Sequence, residues 1–233
     1  MPIRYAGHEI TALKRGDVDI SQVRHGSSLV WTKAPIFDGF NRDDSVGLGT
    51  DWTDHGPSGN PYLASVVNNY ARINIPDNQV FVAFVEARAR FNAAQTVSDD
   101  GYLEFRIATQ GDGSGWSNYP TQVFRRLSNS AFTHGVGVQL DASTLRIVRR
   151  VGGGDTVMRN CGAFHAGDVC VLTQVGNVHT LFRNGTDVGA WNDNAGTASK
   201  GSGFRSVGVY FSGGKDAFGP RRFSPALDYI AAA

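Results

Sequence analysis

Lysine, glutamate, cysteine and methionine are all scarce in this 233-residue chain, with 4, 3, 2 and 2 copies. Two cysteines, Cys161 and Cys170, are too few for a disulfide framework. Small apolar packing as buried free thiols is their expected fate. A formal net charge of +1 gives no overall electrostatic footprint for nucleic acid or an anionic membrane. No apolar run approaches the roughly 18 residues that span a bilayer, so membrane insertion is not expected. The opening Met1-Pro2-Ile3-Arg4 does not begin a signal peptide. The expectation is a soluble protein made in a cytoplasm, where it need not stay. Helical periodicity is missing too: no sustained run places apolar residues at i, i+3, i+4 and i+7.

What the chain does have is 29 glycines and only 18% charged residues, the profile of many short strands joined by tight turns. Residues 3–32 read as brief strands cut by Gly7, Gly16 and Gly26. Strands this short cannot cover a core of their own. They suit either an attachment element that docks on something larger or an edge extension of the main domain. Pro35 supplies the break, because it interrupts a ladder and restricts Ala34.

After Asp38 the strand pattern becomes dense. In residues 79–91 the odd positions Phe81, Ala83, Val85, Ala87, Ala89 and Phe91 are apolar and are expected to face a core. In residues 101–109 Leu103, Phe105 and Ile107 follow the same scheme. A hairpin between these two strands would set Arg88 opposite Glu104 and Glu86 opposite Arg106. Such charge pairs stabilise by about 0.2–1 kcal/mol each. Arg90, next to Tyr102, would be the free member of that ladder. Further strands flank turns at Asp141-Ala142-Ser143, at Gly176-Asn177 (type II′) and at Asn184-Gly185 (type I′). Residues 204–213, with Val207, Val209 and Phe211 on one face, and a closing strand in "ALDYIAA" complete the set. A dozen or so short antiparallel strands predict an all-β, two-sheet jelly-roll sandwich.

Signatures of chemistry are few. A sandwich glycosidase needs two carboxyl groups about 5–9.5 Å apart. The strand segments "EARAR" and "LEFRI" carry Arg where a second carboxylate would stand. The histidines are scattered, and no metal-ligand spacing, GxSxG elbow or P-loop occurs. The "RRVGGGD" stretch reads as a hairpin turn. The "QGDGSGW" loop offers one carboxylate, Asp112, where calcium takes six to eight oxygens. No cofactor, metal or catalytic residue is therefore expected. The aromatic residues Trp116, Tyr119 and Trp191 sit in loop-like surroundings where a ring can stack on a sugar face. Each could instead cover the end of the core. With Arg90 they form the candidate carbohydrate-binding set.

"FDGFNRDDSVGLGTDW", residues 37–52, resembles the opening of a domain common in minor tail proteins of phages that infect actinobacteria. "LTQVGNVHTLFRNGTDVGAWND" is similar to the hairpin pair of concanavalin-like (laminin-G-like) jelly rolls. The N-terminal stretch ending in Val30-Trp31 resembles the glycine-spaced segment that opens many phage tail proteins. The resemblance implies a non-enzymatic virion component in which residues 1–34 dock, through Val30 and Trp31, on other tail proteins. Residues 35–233 would then form a concanavalin-like domain that decorates the tail tip or adheres to host cell-wall glycan. A homo-oligomer follows from tail symmetry, with a trimer as its simplest form. Phe40, Leu48 and Trp52 are read as core pegs of a clasp that closes the sandwich, with Asn41 and Arg42 as hydrogen-bonders. The alternatives are a carbohydrate-binding lectin module and a glycan depolymerase.

Overall fold

The computed structural model describes residues 35–112 and 119–233 in full, and within residues 1–34 the backbone of six short strands. Those six form three antiparallel pairs: β1 (Arg4–Tyr5) with β2 (His8–Glu9), β3 (Leu13–Arg15) with β4 (Val18–Ile20), and β5 (Gln22–His25) with β6 (Ser28–Thr32). A small hairpin element thus precedes the main domain. Val30 and Trp31 lie on β6, and their side chains fall outside the described residues.

The remaining strands build two antiparallel sheets of eight. The first contains β7 (Ile36–Asp38), β9 (Ala64–Val67), β10 (Tyr70–Ile73), β12 (Gly101–Ile107), β17 (Val169–Val175), β18 (Val178–Arg183), β19 (Thr186–Asn192) and β22 (Leu227–Ala232). Its order is β19-β18-β17-β12-β22-β10-β9, with β7 also paired to β22. The second contains β8 (Trp52–Asp54), β11 (Val82–Phe91), β13 (Thr121–Leu127), β14 (Gly135–Asp141), β15 (Thr144–Val151), β16 (Gly154–Ala163), β20 (Ser206–Lys215) and β21 (Arg221–Phe223). Its order is β16-β15-β14-β13-β20-β11-β8, with β21 also paired to β20. No helix occurs among the described residues. The architecture is a jelly-roll sandwich.

Alternation along the strands fills the space between the sheets. Leu103, Phe105, Ile107, Leu172, Leu181 and Ile230 from the first sheet meet Ala87, Phe91, Val123, Val138, Ile147, Val209 and Phe211 from the second. Each fully buried Leu, Ile or Phe contributes about 1.5–3 kcal/mol of transfer free energy. Cys161 and Cys170 are buried free thiols in this core. The turns follow their sequences: Gly176 at φ 57° starts the loop between paired Val175 and Val178, and Asn184 (51°) with Gly185 (82°) makes the next hairpin.

The expected hairpin between residues 79–91 and 101–109 does not form. Strand β11 pairs with β20 and β8 in the second sheet, whereas β12 pairs with β17 and β22 in the first. Alternation says which face of a strand points inward, but two strands in opposite sheets satisfy it as well as two neighbours do. The charges accordingly find other partners. Glu86 pairs with Arg88 on its own strand, Arg106 with Asp228 at 3.1 Å, and Glu104 accepts a bond from the Tyr229 hydroxyl at 2.6 Å.

A bulge between Val82 and Val85 also revises the facing of β11. One extra residue flips the alternation. Val82 is buried and Phe81 is 61% exposed, while beyond the bulge Ala87, Ala89 and Phe91 point inward as expected. Phe81 and Ala83 therefore do not belong to the core.

The clasp read from residues 37–52 is present. Phe40, Leu48 and Trp52 are buried, and the Trp52 ring meets Phe91 edge-on at 5.2 Å. Asp38 is its hub. It accepts bonds from both Arg42 terminal nitrogens (2.6 and 3.0 Å), from Trp52 Nε1 (2.7 Å) and from the Phe40 amide (2.9 Å). Arg42 also donates to the Leu48 carbonyl at 2.6 Å. Asn41 is exposed and takes no part in the network.

Candidate functional site

The second sheet turns a polar and aromatic face away from the core. Inward residues alternate with a cross-strand row that register places side by side: Arg88, Tyr210, Gln122, Gln139 and Arg146. Beside this row, glycines make room for rings. A Cβ on Gly208 would lie 2.6 Å from Leu127 Cδ2 and 2.7 Å from a Phe132 ring carbon. The loop between β13 and β14 uses that space to lay Phe132 on the sheet. There Phe124, Leu127, Phe132, Val148 and Tyr210 form a second, smaller core.

Arg150 is built into this second core. Its guanidinium lies 4.9 Å from the Phe124 ring centre and 5.0 Å from that of Phe132. Asp155 accepts from its Nε (2.8 Å) and Nη2 (2.7 Å), and Gln122 Oε1 accepts a further bond. A buried cation needs such full pairing to be tolerated. This half of the face is covered.

The other half is open. A groove of about 460 Å³ is lined by Pro57, Ser58, Gly59, Asn60, Phe84, Val85 and Glu86. That volume suits a small organic ligand. Phe84 lies on the outer face within the β11 bulge, where it is 54% exposed. The Tyr119 ring stacks on it at 5.8 Å and 11°. Gly214 permits the stack, since a Cβ there would meet the Tyr119 hydroxyl at 2.5 Å. Asn60 fixes the loop that forms the opposite wall, donating to the Glu86 carbonyl and accepting from the Tyr62 amide.

The floor of the groove leads to the Glu86–Arg88 ion pair, and Arg88 also lies 5.9 Å from the Tyr210 ring centre. Arg88 Nε is buried without a hydrogen-bond partner. Burial, with the Glu86 charge beside it, pushes the Tyr210 phenol well above its ordinary value, so the ring stays neutral. The groove thus joins a flat apolar wall to hydrogen-bonding groups of both kinds.

The residues singled out from sequence are not gathered here. Tyr119 does not line the groove itself but stacks on Phe84, which does. Trp116 lies outside the described residues. Trp191 is only 9% exposed and stacks on His179 at 4.8 Å in the first sheet, so its ring covers the end of the core. Arg90 is neither free nor beside Tyr102; it donates to His55 Nε2 (3.2 Å) and Ser206 Oγ (3.4 Å). Phe84, Glu86, Arg88 and Tyr210 were not expected to form a site. Phe84 falls on the outward parity of the alternation, but an outward ring in an apolar run does not by itself announce a site.

The two described glutamates lie in opposite sheets, and no second carboxylate lines the groove among the described residues. No group of three or more His, Cys, Asp or Glu side chains among the described residues could hold a metal ion.

Solved structures with the same fold include both binding modules and enzymes. A carbohydrate-binding module (CBM66) from Bacillus subtilis matches with a TM-score of 0.52 and 13% identity, covering 78% of this chain and 94% of that one. The carbohydrate recognition domain of Emp47p matches with a TM-score of 0.55 and 11% identity, over 85% and 93%. A β-1,3-1,4-glucanase (lichenase) derived from a mouse hindgut metagenome matches with a TM-score of 0.53 and 9% identity, over 84% and 97%. At these identities the likeness is one of fold. No curated protein matches the sequence. A family model does, over residues 19–226: the chain belongs to the family described as "Domain of unknown function (DUF7257)".

Proposed function

We propose that this chain is a non-catalytic glycan-binding domain carried on a phage tail, with the groove beside Phe84 as its sugar site. The observation that carries the binding assignment is the groove itself. A pyranose ring has a face of C–H groups and a rim of hydroxyls, which matches the exposed Phe84 ring and the Glu86, Ser58 and Asn60 groups that line the groove with it. Aromatic faces suit such C–H surfaces, and the polar groups fix orientation. The shared fold of carbohydrate-binding modules adds support without assigning the sugar.

The tail assignment rests on the sequence resemblance of residues 37–52 and of the N-terminal segment. In this reading residues 1–34 anchor the chain to other tail proteins, and copies assemble as a homo-oligomer around the tail axis.

The test is titration of purified actinobacterial cell-wall polysaccharide into the full chain and into Phe84→Ala. The variant is expected to bind at least tenfold more weakly, or about 1.4 kcal/mol. Equal affinity would refute the site. Release of shortened glycan products by the native chain would refute the non-catalytic reading and favour a depolymerase.

A further inference from the structure

One wall of the groove is a loop held in place by a titratable ring. Four of the seven residues that line the groove, Pro57 to Asn60, belong to the segment that follows β8. Strand β8 stands at the edge of the second sheet and pairs with β11 over Trp52, Thr53 and Asp54. Beyond it, β11 holds the segment at two places. At the near end the His55 amide donates to the Arg88 carbonyl at 2.7 Å, and His55 Nε2 accepts from Arg90 Nε at 3.2 Å. At the far end Asn60 donates to the Glu86 carbonyl. Pro57, Ser58 and Gly59 arch between the two, closed by the Asn60 amide on the Pro57 carbonyl at 3.1 Å.

The bond at the His55 ring can run in one direction only. Arginine Nε carries a proton and no free lone pair, so His55 Nε2 must accept, and the imidazole must be neutral with its proton on Nδ1. A second proton would occupy the accepting lone pair and set two cations 3.2 Å apart. The charges that reach the ring are Arg90 on β11, which opposes that proton, and Asp54 on its own strand, which favours it. Partial burial acts more strongly than either and, with Arg90, holds the His55 pKa below its ordinary 6.5. Arg88 offers its carbonyl here, while its guanidinium pairs with Glu86. Arg90 sits between two paired strands, opposite Gly208 and Thr53, whereas His55 stands past the end of an edge strand. His55 is therefore the side that yields.

We propose that His55 is a proton-operated latch on the groove wall. Neutral, it clips residues 57–60 to β11 and keeps the groove in its binding shape. Protonated, it lets go of Arg90, the near tether shrinks to one backbone bond, and glycan affinity falls. The proposal rests on the groove being the sugar site. Linkage makes it reciprocal: a glycan that favours the latched form must push the His55 pKa down further.

The test measures affinity of the full chain for purified actinobacterial wall polysaccharide from pH 7.5 to pH 5 at constant ionic strength. Affinity is expected to hold above about pH 6.5 and to fall about fivefold by pH 5. His55→Gln, whose Oε1 can accept from Arg90 but takes up no proton in this range, should match the native chain at pH 7.5 and show a flat profile. A flat native profile overturns the latch, as does a variant that declines in parallel, which is what a general loss of stability through His179 would give. A second readout needs no glycan. In an NMR pH titration the amides of Ser58, Gly59 and Asn60 should move with the His55 ring protons at one shared midpoint. Amides that ignore the ring overturn the latch and leave the sugar site standing. Phe84→Ala binding as tightly as the native chain removes the sugar site, and the amide titration then still judges the latch. If His55→Gln fails to fold, the titration of the native chain decides alone.

Discussion

Single residues decide the local outcomes. Removing Asp38 strips partners from Trp52 Nε1, Arg42 and the Phe40 amide at once. Asp38→Ala is expected to lose about 2–4 kcal/mol, which denaturant unfolding would measure. A loss below about 0.5 kcal/mol would mean the clasp is ornamental. Trp191→Ala should be similarly damaging, about 3–5 kcal/mol, because it opens a cavity under His179. Phe84→Ala should leave the melting temperature nearly unchanged. His179 adds a pH dependence. Burial first, and then the Arg126 charge, hold its pKa down at about 4, against 6.5 in the unfolded chain. The unfolded state takes up the proton first, so this stabilisation is complete above about pH 6.5 and is lost as pH falls towards 4. Its size is at most roughly 3 kcal/mol, and His179→Phe should flatten the slope. The spacing of Phe40, Leu48 and Trp52 in a polar stretch marked them as notable, and the resemblance of residues 37–52 was what read them as core pegs. For Trp191 the sequence left both a sugar-stacking ring and a ring over the end of the core, because a tryptophan between Ala190 and Asn192 looks alike on a loop and at the rim of a core.

At the scale of elements, strand existence was legible and strand neighbours were not. The alternation in β11 and β12 identifies two strands with one buried face each, and the short loop between them suggests a hairpin. The loop instead crosses from one sheet to the other, tied down by Arg125 and Arg126 to the Ser98, Asp99 and Asp100 carbonyls. Two adjacent arginines in a strand look like a solvated charge run, so nothing in the sequence announces that both are buried. The β14–β15 turn gives a sharper test. Ala142 and Ser143 hold φ of 47° and 66°, the left-handed region that type I′ hairpins require and that Asn-Gly fills with less strain. Replacing the pair by Asn-Gly is expected to stabilise the chain by about 1 kcal/mol, seen as a rise of roughly 2–4 °C in melting temperature. A fall would show that another contact sets this turn.

For the whole molecule, the two halves of the outer face divide the work. Phe132, Arg150 and Asp155 cover one half, and that support holds Tyr210 and the Glu86–Arg88 pair in place beside the open half. Deleting residues 1–34 tests the division between anchor and domain. The remaining sandwich should fold and keep its glycan affinity while virions lose the subunit; retained incorporation would contradict the anchoring role. The most direct measurement of the binding claim is an NMR titration of the labelled chain with actinobacterial wall polysaccharide, following backbone amide shifts. Shifts concentrated at residues 57–60, 84–88 and 210–214 are predicted. Shifts confined to the first sheet, or none at saturating glycan, would contradict it.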